Sequence, residues 1–336
     1  MTIRVGVLGT GSIGTDHARR LAFGVQGATV TRVFDVATER AERVASEIGA
    51  KTASSPKELI SSDDVDAIVI ATPGDLHAEL TISCIKAGKP VLCEKPLAPS
   101  AKEALDVLLA ESEYGKRLVQ VGFMRRYDSG YLEIKRAMDS GIIGEPVALH
   151  CIHRNPSPST TGFSDEMIIT DSAVHEIDVI RWLADEEIVA ARAIIGKRSP
   201  LAPGQLRDPQ FLIFETTSGI IADVEVFVSC QYGYDVRCEA VGSTGTATLE
   251  TPLLWTLRSG FKTTQPIPGH WQDRFGEAYL RELQDWIGRI ARDETPAGPS
   301  SWDGYAASAV AEAAVLSLRT GERQPVHLVD RPSMFA

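Results

Sequence analysis

Ile3-Arg4-Val5-Gly6-Val7-Leu8-Gly9-Thr10-Gly11-Ser12-Ile13-Gly14 decides how the first third of this chain folds. Ile3 to Leu8 is an apolar run of strand length, and the glycines follow at once. From Ser12 onward, contacts recur at Ile13, His17 (by its ring), Ala18 and Leu21, which is the spacing of one helix face. In such a strand, turn and helix each glycine has its own duty. The first admits a tight turn, the second lets an anion approach the backbone, and the third lets helix close on strand. Unpaired N–H groups at the helix start then hold the anion.

The same alternation continues outward. A strand is predicted over Thr29 to Phe34, then a helix with Ala41, Val44, Ala45 and Ile48 on one face. Ser55-Pro56-Lys57-Glu58 reads as a capping box with proline at the first helical position. Further strands are expected over Asp66 to Ala71, Val91 to Glu94 and Arg117 to Phe123, separated by helices over His77 to Ala87 and Ala101 to Glu113. Strands apolar on both faces, alternating with amphipathic helices, imply a parallel sheet covered on both sides. The fold class is therefore α/β, with a Rossmann dinucleotide-binding domain over residues 1–123. Asp35 stands 21 residues beyond Gly14 at the end of the second strand. A carboxylate there accepts from ribose hydroxyls and repels a 2'-phosphate, which favours NAD over NADP. Arg40 and Arg43 share a helix with Glu39, Glu42 and Glu47 and read as a solvated face.

After Phe123 the pattern changes. A helix is expected from about Asp128 to Ser140, and alternation over Pro146 to Arg154 puts Val147, Leu149, Cys151 and His153 on one side. Beyond a Pro/Ser/Thr-rich loop, a helix over about Ser172 to Ala184 precedes strands at Ile188 to Ile195, Gln210 to Thr217, Ile220 to Cys230, Val236 to Gly242 and Thr246 to Glu250. Turns such as Thr217-Ser218-Gly219 between them imply an open, mainly antiparallel sheet. Two helices, about Arg274 to Arg292 and Gly304 to Arg319, close a second domain expected over 124–336, with Phe275 and Trp286 at core spacing.

Composition narrows the partners. With 34 Lys and Arg against 45 Asp and Glu, the net charge of −11 repels a phosphate backbone, so nucleic acid is not expected as a partner. No apolar run approaches the roughly 20 residues of a membrane span, and the N-terminus reads as a strand rather than a signal peptide. Five cysteines without C-x-x-C spacing, and seven histidines without H-E-x-x-H, imply neither disulfides nor a metal, and a cytoplasmic protein.

Two further stretches carry chemistry. Glu94-Lys95-Pro96 ends the apolar run Pro90-Val91-Leu92-Cys93 and fixes a lysine at the edge of a cofactor site. In Asp171-Ser172-Ala173-Val174-His175-Glu176-Ile177-Asp178, helical spacing puts Asp171, His175, Asp178 and Trp182 on one face. A carboxylate one turn from an imidazole can orient it and raise its basicity, as a general base on an alcohol requires. Taken alone, the pair also reads as an N-cap and a core histidine. Asp178 either accepts from a substrate hydroxyl or pairs with Arg181, and an approach of Trp271 and Arg274 to the site from the loop before the penultimate helix is the less favoured reading of those two.

Gly9 to Gly14, Ala71-Thr72-Pro73 with His77, Glu94-Lys95-Pro96, and Asp171 with His175 together resemble the Gfo/Idh/MocA oxidoreductases. The likeness spans the chain. Within that family, Val121 to Asp128, His153 to Pro156, His175 to Leu183 and Asp223 to Asp235 are similar to bacterial myo-inositol 2-dehydrogenases. The resemblance implies oxidation of a ring secondary alcohol of inositol to scyllo-inosose with hydride transfer to NAD, by a tetramer. It also implies roles. Gly9, Gly11, Ser12, Ile13, Gly14, Asp35, Thr72, Pro73, His77, Glu94 and Lys95 would hold the cofactor. Lys95, Asp171 and His175 would be catalytic, and Lys95, Met124, Arg125, His153, Asn155, Asp171, His175 and Tyr234 would meet the substrate.

Overall fold

The computed structural model describes residues 2–249 and 255–335, which form two compact units. The first comprises Met1–Met124, Glu277–Ser308 and Leu328–Ala336; the second comprises Arg125–Gly276 and Ala309–His327.

In the first unit, β1 (Ile3–Leu8), α1 (Ser12–Phe23), β2 (Ala28–Phe34), α2 (Thr38–Ile48), β3 (Lys51–Thr52), α3 (Pro56–Ser61), β4 (Ala67–Ile70), α4 (His77–Lys86), β5 (Val91–Glu94), α5 (Ala101–Tyr114) and β6 (Val119–Gly122) follow in turn. The sheet order is β3-β2-β1-β4-β5-β6 and every neighbouring pair is parallel. Strand order reverses between β1 and β4, the place where such sheets open a crevice at their carboxyl ends. Ser55 caps α3 by accepting from Glu58 N, as its capping box predicts.

The second unit holds α6 (Ser129–Asp139), β7 (Pro146–Arg154), a single turn α7 (Asp165–Met167), a π-helical turn (Ile168–Ala173), α8 (Val174–Ala184), β8 (Ile188–Ile195), β9 (Gln210–Thr216), β10 (Ile221–Phe227), β11 (Asp235–Gly242) and β12 (Thr246–Leu249). A hairpin, β13 (Leu257–Ser259) with β14 (Lys262–Thr264), comes next, and α9 (Trp271–Ala291), α10 (Ser301–Thr320) and β15 (Gln324–Pro325) end the chain. The large sheet runs β12-β11-β7-β10-β9-β8-β15; only β7 and β10 pair in parallel among its described strands. Its mainly antiparallel character is as expected.

Three expectations change and one lies outside the described residues. Val147 is exposed, because the pairing of β7 with β11 passes from Ala148 to Pro146 and skips it; Leu149, Cys151 and His153 do point inward. The helix expected from Ser172 is α-helical only from Val174, after the wider π turn that carries Asp171. Glu250, expected to end a strand, lies outside the described residues. The two-part division at 123/124 gives way to a first unit that reclaims Glu277–Ser308, since Leu283, Trp286 and Ile287 are buried among Ile3, Val5, Val30 and Val69. Packing over that distance leaves no mark on local periodicity.

Candidate functional site

The turn after β1 has the shape of a phosphate cradle. Gly9 has φ +91, and a Cβ there would lie 2.4 Å from Ala71 O; one on Gly14 would lie 2.0 Å from Gly9 O. Gly11 is different: nothing lies within 4 Å of its Cβ position, so the open backbone faces space. Gly9 and Gly14 thus sit where a side chain has no room, and Gly11 leaves the backbone open, a geometry that suits the duties their spacing suggests. Asp35, at the end of β2, is gripped on both oxygens. Oδ2 accepts from Thr10 N at 2.7 Å and Thr10 Oγ1 at 3.0 Å, and Oδ1 accepts from Ala37 N at 2.9 Å and Arg40 Nη2 at 3.0 Å. Burial pushes its carboxyl up, but these hydrogen bonds and the Arg40 charge outweigh it and hold the pKa below the ordinary value. Arg40 therefore does more than coat a solvated face.

The ends of β4 and β5 are tied together by His77. This buried ring has Nδ1 2.7 Å from Pro96 O and Nε2 2.9 Å from Thr72 O. Carbonyl oxygens only accept, so both ring nitrogens must donate and the ring is an imidazolium. Burial opposes that charge; the Cys93 thiol and the two carbonyls outweigh it and lift the pKa to about 9. His77 thus braces the Thr72-Pro73 turn against the Lys95-Pro96 turn, in place of the direct cofactor contact expected of it. Glu94 is braced likewise: Oε1 lies 2.7 Å from His17 Nε2, and Oε2 accepts from Lys95 N at 3.2 Å. Lys95 itself is half-buried just beyond β5. Thr72 Oγ1 is buried with no hydrogen-bond partner among the described residues, as suits a hydroxyl whose partner is a bound molecule. The open backbone at Gly11, the anchored Asp35 and this orphan hydroxyl fit NAD.

In the second unit, the inward end of β7 meets α8. The His153 ring centroid lies 6.4 Å from that of His175 and 5.9 Å from that of Tyr234, and Tyr234 in turn packs edge-on to Phe275 at 6.1 Å. His153, His175 and Tyr234 are thus brought together as the sequence predicts. Asp171 stands on the π turn one turn before His175, and its Oδ2 accepts from Ser159 Oγ at 3.2 Å. Asn155 continues from β7, with backbone bonds to Phe227 O and from Cys230 N, and its Oδ1 is buried without a hydrogen-bond partner among the described residues.

Other assignments shift. Arg125 is 1% exposed and ion-paired with Glu176, so its guanidinium is spent on the fold and not on the direct substrate contact expected. Met124 is 1% exposed as well. Asp178 has a partner that its sequence did not suggest. Arg126 grips both its oxygens, at 2.9 and 2.5 Å, while Arg181 binds Glu187. Arg274 is buried over the Phe275 ring and donates to Asp128 Oδ2 at 2.7 Å, which gives it a packing role. Glu176 was not singled out by its sequence. A signal was there, since Val174, Ile177, Val179, Ile180, Trp182 and Leu183 put apolar residues on most sides of this helix, and a charged residue on such a helix must be paired, although its partner is not readable.

Residues 3–123 match the family described as "Oxidoreductase family, NAD-binding Rossmann fold", and residues 131–248 match the GFO/IDH/MocA C-terminal domain. The chain is 49% identical over 335 residues to inositol 2-dehydrogenase 3 of Saccharopolyspora erythraea, covering 100% of this chain and 98% of that protein. Inositol 2-dehydrogenase of Azotobacter vinelandii is 46% identical over 338 residues, with 100% and 99% covered. Among solved structures, myo-inositol dehydrogenase from Lactobacillus casei in complex with NAD(H) and myo-inositol superposes with a TM-score of 0.96 at 35% identity, both chains fully covered. With its glycine cradle, its anchored Asp35 and both halves matched, the chain belongs to the Gfo/Idh/MocA family of NAD-binding oxidoreductases.

Proposed function

We propose that this chain is an NAD-dependent inositol 2-dehydrogenase, which oxidises a ring secondary alcohol of myo-inositol to scyllo-inosose. The observation that carries this reading is the polar cluster of the second unit. His153, His175, Tyr234 and the orphan Asn155 Oδ1 offer donors and acceptors in a sheltered place where an apolar substrate would need an apolar slot. Relatives named inositol 2-dehydrogenase along the full length support it.

NAD, when bound, accepts the hydride. The chain's own residues handle the proton and the charge. His175 takes the hydroxyl proton on a ring nitrogen, Asp171 orients that ring and relays the proton, and the Lys95 ammonium stabilises negative charge growing on the oxygen. Gly9, Gly11, Ser12, Ile13 and Gly14 cradle the pyrophosphate, and Asp35 accepts from the ribose. Thr72 and Pro73 flank the cofactor, held by His77; Glu94 sets Lys95. His153, Asn155 and Tyr234 read the polyol hydroxyls. A cytoplasmic enzyme fits the free cysteines, and a homotetramer fits the apolar side chains that the second sheet leaves exposed.

Following NADH absorbance with a panel of myo-, scyllo- and chiro-inositol and glucose tests the proposal. myo-Inositol should be oxidised most efficiently, and Lys95→Ala should lower turnover by about 10² or more while NAD still binds. Preference for another isomer moves the substrate assignment. An absence of NADH from every compound overturns the enzymatic reading in favour of an NAD-dependent sensor.

A further inference from the structure

Two buried side chains outside the proton chemistry proposed above converge on one nitrogen of His153. Glu176 follows His175 on α8 and is 1% exposed, as is its ion-pair partner Arg125. His153 Nδ1 lies 3.0 Å from Glu176 Oε2 and 3.2 Å from Arg125 Nη2. These neighbours make opposite demands, because a carboxylate only accepts and a guanidinium only donates. Nδ1 can answer one of them.

The carboxylate prevails on three grounds. It is the nearer of the two. The guanidinium is already engaged with Glu176 Oε1 through its other terminal nitrogen. And Glu176 stays ionised: burial pushes its carboxyl up, yet the Arg125 guanidinium paired with it outweighs that and holds it below the ordinary carboxylate range. An ionised oxygen 3.0 Å from a bare Nδ1 would set two acceptors against each other in a buried place, at a desolvation cost that a proton on Nδ1 removes. Among the described residues, both hydrogen-bonding contacts of His153 are made by Nδ1. Fixing one ring nitrogen in this way decides what the other presents.

We infer that Glu176, with Arg125 as its counter-ion, is a positioning residue that locks His153 in the Nδ1–H tautomer, so that Nε2 is a dedicated acceptor for one substrate hydroxyl. This rests on the polyol reading above. It adds a rule of recognition: the group facing His153 must bring a hydrogen, so a carbonyl or ether oxygen at that ring position meets a lone pair and is refused.

The test is made on the full-length enzyme with ¹⁵N-labelled histidine at pH 8, with His153→Gln used to assign the His153 signals. Long-range ¹H–¹⁵N spectra should show Nδ1 protonated and Nε2 bare. Glu176→Gln, whose amide can donate to Nδ1, should move the proton to Nε2, and Glu176→Asp should keep it on Nδ1. In Glu176→Gln the KM for the polyol should rise about ten-fold, with a smaller fall in kcat and an unchanged KM for NAD. A proton on Nε2 of wild-type His153, in the other tautomer or the imidazolium, overturns the inference even if the variant fails to fold. So does an unchanged tautomer in Glu176→Gln. A polyol panel without NADH overturns the functional reading instead, so the two failures are distinguishable.

Discussion

His77 shows how a single residue can set a pH limit on the fold. Two carbonyl oxygens face its two nitrogens, and the charged ring that satisfies both has a pKa of about 9 against an ordinary 6.5. A group whose folded pKa is raised contributes stability that is complete below the unfolded pKa and vanishes as pH rises through the folded one. For His77 the contribution is full below 6.5 and is lost by pH values above about 9. The difference is worth roughly 3 kcal/mol. Thermal melts from pH 6 to 10 should therefore show wild type falling toward His77→Gln on the alkaline side, the gap between them closing above pH 9. A constant gap would mean that the ring is braced while neutral. Asp35 was legible from its distance to the glycine turn, and His77 and Glu94 from the family resemblance, but their hydrogen-bond partners were not, because Thr10, Pro96 and His17 reach them only through the fold.

At the scale of elements, the turn between β1 and α1 holds two glycines that sit under opposite constraints. A methyl group on Gly14 would meet Gly9 O at 2.0 Å, a backbone atom that cannot step aside, whereas one on Gly11 meets no protein atom within 4 Å. Gly14→Ala should lower stability by about 1–3 kcal/mol as well as weakening NAD binding. Gly11→Ala should leave the melting temperature unchanged and still weaken NAD, since its methyl fills the space left for the pyrophosphate. Differential scanning fluorimetry with and without NAD separates the two; equal destabilisation would contradict the division of labour. Such turn chemistry is readable because it is local. The π turn before α8 is not, since nothing in the composition of Ile168 to Ala173 distinguishes a π turn from a turn of α-helix. The skip of Val147 between β7 and β11 is likewise a property of the pairing and not of either strand.

For the whole molecule, the second sheet buries Leu212, Phe214, Val224 and Val226 on one face and leaves Phe211 38% and Ile221 42% exposed on the other. Exposed apolar positions in adjacent strands fit the self-association proposed above. Phe211→Glu should shift the enzyme to a smaller species in analytical ultracentrifugation without abolishing its cooperative unfolding; an unchanged sedimentation coefficient would place the interface elsewhere. Alternation along β9 and β10 made the two faces legible, and the buried partners of α8 needed the tertiary structure. The composite first unit has a consequence for how the protein is made. Trp286, Leu283 and Ile287 complete the core around β1 and β2, so a growing chain carries an unfinished cofactor domain until α9, far downstream of those strands, has been synthesised. The nascent strands must therefore wait, shielded or loosely folded, for a helix encoded far downstream of them.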